Sequence, residues 1–343
     1  MSRTAVILFN LGGPDSLDAV KPFLVNLFSD PAIIALPQPL RWLAAQLIAG
    51  RRARVARGIF ERLGGGSPLL ANTEAQARSL EAALGEGFRV FIAMRYWRPF
   101  AADAAAAVKA WNPDTVLLLP LYPQASSTTT GSSFAAWREA AAAAGLQAPT
   151  RAICCYPEEA GLVAALSDAT RKTLADWPAG MRARVLFSAH GLPQKIVAGG
   201  DPYQWQVERT VAALRAALAM PELDSVVCYQ SRVGPLAWIG PGTDEEVRRA
   251  GRDRVGVVVV PVAFVSEHSE TLVELDREYR HLADSAGVPR YERVATVGAA
   301  PAFIAGLARL VRAARPGTCP AAGARLCPRG FARCLCTVEG AAA

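Results

Sequence analysis

The sequence predicts an α/β protein of two domains alike in kind, each on a parallel sheet, followed by a Cys-rich C-terminal tail. Three observations carry this. Short apolar runs rich in β-branched residues recur along the chain, the composition of parallel strands buried on both faces. Ala- and charge-rich stretches with helical spacing separate them, and strand alternating with helix is the pattern of parallel sheets. At 343 residues the chain is too long for one typical core and implies roughly two domains.

In order, strands are expected at AVILFN (5–10), stopped by Asn10 and the glycines beyond it, and at RVFIAM (89–94). TVLLLPLY (115–122) follows, ended by the hydroxyl-rich turn ASSTTTGSS, then RVLFSAH (184–190), SVVCYQ (225–230) and VGVVVVPVAFV (255–265). Helices are expected at 73–85, 100–111, 204–219, 269–287 and 301–314. The last opens on Pro301, at a first-turn position that tolerates a missing N–H. The link AAAAGLQAPTR puts the boundary near 145–155, giving domains of 1–150 and 151–315, with no internal repeat strong enough to assert. The tail, 316–343, combines Pro, Gly and Cys without periodicity and needs an external tie.

Apolar residues make up 52% of the chain and charged residues 20%, which excludes a disordered chain. The net charge of +7 is carried largely by Arg. Arg51, Arg52, Arg54, Arg57 and Arg62 form a dense patch suited to phosphate, carboxylate or lipid headgroups, with no nucleic-acid-binding signature beside it. The first apolar run is too short for a signal peptide, and no uncharged stretch spans a bilayer. A cytoplasmic protein is expected, with membrane contact only at its surface.

Ligands of open parallel sheets bind beyond the carboxyl ends of the strands. Of the three histidines, His190 and His268 occupy such strand ends, while His281 reads as an ordinary residue of a helix. Glu267 and Glu270 flank His268. Imidazole with carboxylate suits a borderline divalent metal such as Fe²⁺, and equally suits proton abstraction near neutral pH. No G-x-G-x-x-G follows a strand, GGGSP lacks the Lys of a phosphate-binding loop, and SEHSE is not H-E-x-x-H. The residues alone thus reach a two-domain α/β protein with a His/Glu site in a cleft, suited to handling a metal or to abstracting a proton.

Taken together, LFNLGGPDS, IFERLGGGSPL, AMRYWRPF, LPLYPQASSTTTGSS, LFSAHGLP, CYQSRVGPLAWIGP and VPVAFVSEHSETLVELDREY resemble the motifs of the ferrochelatase family, in that family's order. The resemblance implies two Rossmann-like, doubly wound domains with a central porphyrin cleft. It implies insertion of Fe²⁺ into protoporphyrin IX with release of two protons. His190 would bind the metal, take a pyrrole proton, or both, and Glu270 would face it across the macrocycle. Glu267 and His268 would support them, Glu267 standing where the family often has Asp. Leu11, Arg95, Tyr96, Tyr122 and Trp238 would line the cleft. Segment 31–57 would form an apolar lip, with Ile33, Ile34, Leu36, Leu40, Trp42 and Leu47 on a membrane surface. Arg51, Arg52 and Arg54 would lie near headgroups or porphyrin propionates. Coproporphyrin III as substrate, another metal, a non-catalytic carrier, and monomer or dimer all stay open.

Of seven cysteines, Cys154, Cys155 and Cys228 lie in the body of the chain, and Cys319, Cys327, Cys334 and Cys336 crowd the tail. In a reducing compartment this is a metal-binding pattern before it is a disulfide one. The resemblance extends to ferrochelatases with a C-terminal [2Fe–2S] cluster, which takes four thiolates. The family's best-known pattern places one ligand far upstream; where that ligand would align, near Ala165, this chain has no Cys. Either all four tail cysteines bind the cluster, or Cys154 or Cys155 replaces one of them. The spacing C-x7-C-x6-C-x-C is not that of a zinc ribbon, though zinc and free thiols stay open.

Overall fold

The computed structural model describes residues 2–232, 234, 236–319 and 324–337, except for the side chain of Cys319. In chain order its strands are β1 (Thr4–Asn10), β2 (Phe88–Met94), β3 (Thr115–Pro120), β4 (Thr150–Ile153), β5 (Ala183–His190), β6 (Asp224–Gln230), β7 (Gly256–Pro261), β8 (Tyr291–Arg293) and β9 (Gly317–Cys319). They form two sheets, ordered β2-β1-β3-β4-β9 and β6-β5-β7-β8, and every pairing is parallel.

The chain divides into two compact units. The first runs to Cys155 and takes in Leu307–Pro328 and the chain from Cys334; the second is Tyr156–Gly306 with Arg329–Arg333. In the first unit β1 is buried from Ala5 to Asn10, as a strand covered on both faces must be. Phe9 projects from it and meets the rings of Phe134 and Trp137 edge-on, at 5.7 and 6.1 Å. In the second unit β7 is buried along its whole length, and Val257 and Val259 pack with Leu186, Val247 and Leu275. Cys228 lies in that core, its thiol pushed up to about 12 by burial, so it is an inert packing residue.

Each sheet has one place where the strand order turns back. In the first the chain leaves β1 for β2 on one side and later passes to β3 on the other; in the second β5 lies between β6 and β7. Such switch points leave a crevice beyond the strand ends. Leu11 and Tyr122 follow the strands that flank the first, and His190 and the segment after β7 flank the second.

Helices end where the sequence lets them. The helix Ala101–Trp111 starts with the Phe100 N–H donating to the Asp103 carboxylate at 2.9 Å. It stops at Asn112, which takes the left-handed conformation that Asn tolerates. The helix Gln38–Glu61 buries Ala45, Ala49 and Phe60, the last two packing with Val20, Phe23 and Leu24 of the helix Val20–Phe28. Leu40, Leu43 and Leu47 follow at helical spacing on another stripe and are exposed, as is Leu36 just before the helix. Trp42 and Ile33 are exposed beside them. No helix among the described residues is long and apolar enough to cross a membrane.

The stretch 269–287, expected as one α-helix, is a π-helix at Glu270–Glu278 that passes into an α-helix at Tyr279–Ser285. The wider turn changes the angle between side chains along the segment. The expected hydroxyl-rich turn contains a π turn, Ser127–Gly131, that leads into the helix Ser132–Ala143. The strand expected to 265 ends at Pro261, which has no N–H for the ladder. The tail finds its tie in β9, which extends the first sheet beside β4, with Ile153 opposite Cys319.

Candidate active site

His190 is the last residue of β5, and its Nδ1 lies 2.9 Å from Oε2 of Glu270, the first residue of the π-helix. Solvent still reaches the imidazole, whose side chain is 39% exposed, and the Glu270 carboxylate, at 25%. Enclosure by protein would lower the pKa of His190, but the Glu270 charge and hydrogen bond outweigh it, so the imidazole is raised above its ordinary range. Burial would likewise raise Glu270, yet His190 and then His268 hold its carboxyl well below the usual carboxylate range. The two shifts have one cause, the mutual stabilisation of imidazolium and carboxylate.

His268 is buried against the ring of Phe264, 4.6 Å between centroids, and its Nδ1 contacts the Ser266 carbonyl at 3.1 Å. Its Nε2 stands 3.8 Å from Glu270, too far for a hydrogen bond but close enough to steady the carboxylate. Glu267 turns elsewhere: its Oε1 accepts from Arg293 and from the Thr296 N–H, each at 2.9 Å. The structure therefore gathers His190, Glu270 and His268 on one side, and ties Glu267 to β8. Glu270 does not face His190 across a macrocycle as expected, because no ring fits within a 2.9 Å contact.

Glu274 belongs to the same site, although neither composition nor motif singled it out. It lies four residues beyond Glu270, a spacing that puts the two on one helix face. It accepts the Ser231 N–H at 2.9 Å and lies 3.3 Å from the Tyr279 hydroxyl. Burial and the Glu270 charge push its carboxyl up. Ser231, just past β6, is held in a left-handed conformation that costs energy for a non-glycine residue, and Glu274 clamps it there. Trp238 covers Gly191: a Cβ there would lie 3.3 Å from the indole and 2.9 Å from the Gln230 carbonyl. Gly191, next in the chain after His190, thus leaves room for the Gln230 carbonyl and the indole edge.

In the first unit Leu11 is half-buried at the end of β1. Arg95 pairs with Asp30 at 2.9 Å, donates from Nε to Ser132 Oγ at 2.6 Å, and lies over the Tyr96 ring. Tyr96 is buried and its hydroxyl donates to Asp30 at 2.7 Å, so it braces this network rather than offering a surface. The Ser132 hydroxyl donates to the same carboxylate, and Asp30 Oδ1 accepts the Ala32 N–H at the start of the lip. A cavity of about 360 Å³ opens beside Asp30, Arg95, Ser127, Ser132 and Glu139. The Tyr122 hydroxyl is buried near Ser133, and burial holds its proton firmly. Arg52 is exposed on the helix Gln38–Glu61, over the Phe28 ring.

The thiols gather in the first unit. Cys154 and Cys155, just past β4, have their sulfurs 3.8 Å apart and pack with Leu326, Leu335 and Cys336. Cys155 raises the thiol of Cys154 by hydrogen bonding, and Cys336 also contacts it. For Cys155 a lowering contact from Cys154 is outweighed by Cys327 and by burial, while Cys327 and burial raise Cys334. These are protonated, mutually hydrogen-bonded thiols with soft donor atoms facing one another. Among the described residues no group of three or more His, Cys, Asp or Glu side chains stands ready to hold a metal ion. The side chain of Cys319 lies outside the described residues.

Comparison with known proteins bears on the family and the fold. The family model for ferrochelatase matches residues 3–315. The ferrochelatase of Caulobacter vibrioides (strain NA1000 / CB15N) is 51% identical, over 99% of each chain. That of Phenylobacterium zucineum is 51% identical, over 99% of this chain and all of its own, and that of Rickettsia bellii is 45% identical, over 97% and 95%. Among solved structures, the sirohydrochlorin chelatase SirB of Bacillus subtilis subspecies spizizenii, in complex with cobalt, matches with a TM-score of 0.53 at 13% identity, over 90% of this chain and 94% of its own. That likeness concerns the fold.

The coupled shifts set a pH dependence. A raised His stabilises the fold fully below its unfolded pKa and loses that contribution as pH climbs through the folded one; a depressed Glu keeps its contribution until pH falls well below the carboxylate range. In Glu270→Gln the imidazole of His190 should titrate at lower pH than in the wild type, because the charge and hydrogen bond that raise it are gone. An NMR titration of the ring protons checks this; an unchanged midpoint would detach the two residues.

Proposed function

The chain belongs to the ferrochelatase family, and from that premise we propose that His190 and Glu270 work as a pair that inserts Fe²⁺ into protoporphyrin IX. The enzyme is a lyase acting at the terminal step of haem biosynthesis. The observation that carries the assignment is the 2.9 Å contact between the two side chains, at the switch point of a parallel sheet.

Insertion replaces two pyrrole N–H protons by one Fe²⁺, so two protons must leave. Neutral His190 is the acceptor for one of them, and its raised pKa strengthens it as a base. Glu270, ionised throughout the working range, stabilises the imidazolium that forms. Glu274, the more readily protonated carboxyl on the same face, is the next acceptor. As the ferrous ion sheds water, the freed imidazole and carboxylate offer nitrogen and oxygen donors in its place. Trp238 beside Gly191 supplies an aromatic face for the flat substrate next to the base.

The gathered thiols support a [2Fe–2S] cluster held by Cys327, Cys334, Cys336 and one of Cys154 and Cys155. Their donor chemistry fits: such clusters take thiolates, and binding iron would replace the shared thiol protons. When bound, the cluster would cross-link the tail to the end of β4, which suits a structural or sensing role. The exposed Leu36, Leu40, Leu43 and Leu47, continued toward exposed Arg51 and Arg54, support peripheral contact with an anionic lipid surface.

Anaerobic insertion of Fe²⁺ should be fast in the wild type, with coproporphyrin III run beside protoporphyrin IX. It should fall by about 10²-fold or more in His190→Ala and Glu270→Gln, the usual contribution of a positioned base. Wild-type turnover in His190→Ala would end the base assignment. The purified protein should carry iron and labile sulfide in equal amounts, with visible absorption that Cys327→Ser abolishes; a colourless protein with stoichiometric zinc would overturn the cluster. Vesicles containing phosphatidylglycerol should bind the wild type at low salt and not Leu40→Asp/Leu47→Asp, whereas equal binding to neutral vesicles would count against the lipid surface.

A further inference from the structure

We infer that Arg293 is a positioning residue that fixes the π register of Glu270–Glu278 and thereby aims Glu270 at His190; this rests on the role proposed for that pair. Arg293 ends β8, and its side chain is 8% exposed. Its Nε and Nη2 donate to the two oxygens of Asp276 at 2.6 and 2.8 Å, and its Nη1 donates to Glu267 at 2.9 Å and to the Val294 carbonyl at 3.2 Å. Glu267 is held in turn by the Thr296 N–H. One planar guanidinium therefore grips the chain on either side of Glu270: just before the helix, and again within it.

The grip has a direction. Asp276 faces Arg293 while Glu270 faces His190. The angle between two side chains on a helix depends on the residues per turn, and a π turn holds more than an α turn. If the segment tightened to an α-helix, Asp276 and Glu270 could no longer reach both partners at once. Satisfying Arg293 at Asp276 and His190 at Glu270 together selects the π register. A lysine keeps the charge but lacks the rigid fork that reaches both carboxylates.

The test uses Arg293→Met, Arg293→Lys, Asp276→Asn and the double variant Arg293→Met/Asp276→Asn in the full chain. Turnover is read by anaerobic metal insertion, porphyrin affinity by fluorescence quenching, and folding by thermal unfolding. Displacing the carboxylate should lower kcat by as much as about 10²-fold, with porphyrin Kd within about twofold of the wild type. The double variant should be no slower than the slower single one, and Arg293→Lys should not restore turnover. Wild-type turnover in Arg293→Met, independent losses that multiply in the double variant, or turnover falling only together with porphyrin affinity and thermal stability would each overturn the inference. Should Arg293→Met not fold, Asp276→Asn, at a partly exposed carboxylate, decides alone by the split between kcat and Kd. A fully active Glu270→Gln would instead sink the His190–Glu270 reading, so the two failures are distinguishable.

Discussion

A histidine and a carboxylate 2.9 Å apart depend on two segments, eighty residues apart in sequence, arriving at one strand end. Parallel pairing makes that possible. β5 and β7 run side by side, so the chain leaving each emerges at the same edge of the sheet. Everything else in the second unit follows: the buried valines of β7 hold the register, Gly191 admits the indole of Trp238, and Ser231 accepts an unfavourable backbone conformation under Glu274. A one-residue slip of β5 would turn His190 to the other face and dissolve the site.

Much of this was legible before any coordinates. The long apolar strands announced themselves because a strand buried on both faces leaves a continuous hydrophobic run. β4, β8 and β9 did not, being three or four residues long with Arg, Glu or Thr among them. His190, His268 and Glu270 could be found because they follow strands, and the order of seven motifs tied them to one family. Glu274 escaped because nothing in ETLVELDREY distinguishes a solvated carboxylate on the Glu270 face from one held against Ser231, forty-three residues earlier. Arg293 escaped because nothing local to YERV reveals that its partners lie seventeen and twenty-six residues earlier.

The residues expected to line the site sorted themselves by burial. Tyr96 proved to be a brace inside the Asp30 network. Asp30, which no motif argument had raised, joins Arg95, Tyr96 and Ser132 and also receives the first N–H of the lip. Cys154 and Cys155, carried as substitutes for a tail ligand, are the thiols that the described tail cysteines meet. Spacing along the tail could not say so, because the distance between β4 and the tail is a property of the sheet.

The last strand has a bearing on the order of assembly. β4 offers one side to β3 from the moment both exist, but its other side pairs with β9, and the whole of the chain from Cys154 to Pro316 lies between them. A chain folding from its N-terminus must therefore carry β4 as an open edge while the second unit is made. Closing that long loop costs entropy, though the cost grows only with the logarithm of its length. The first sheet, begun first, is finished last, and the arrival of Gly317–Cys319 is the step that seals it.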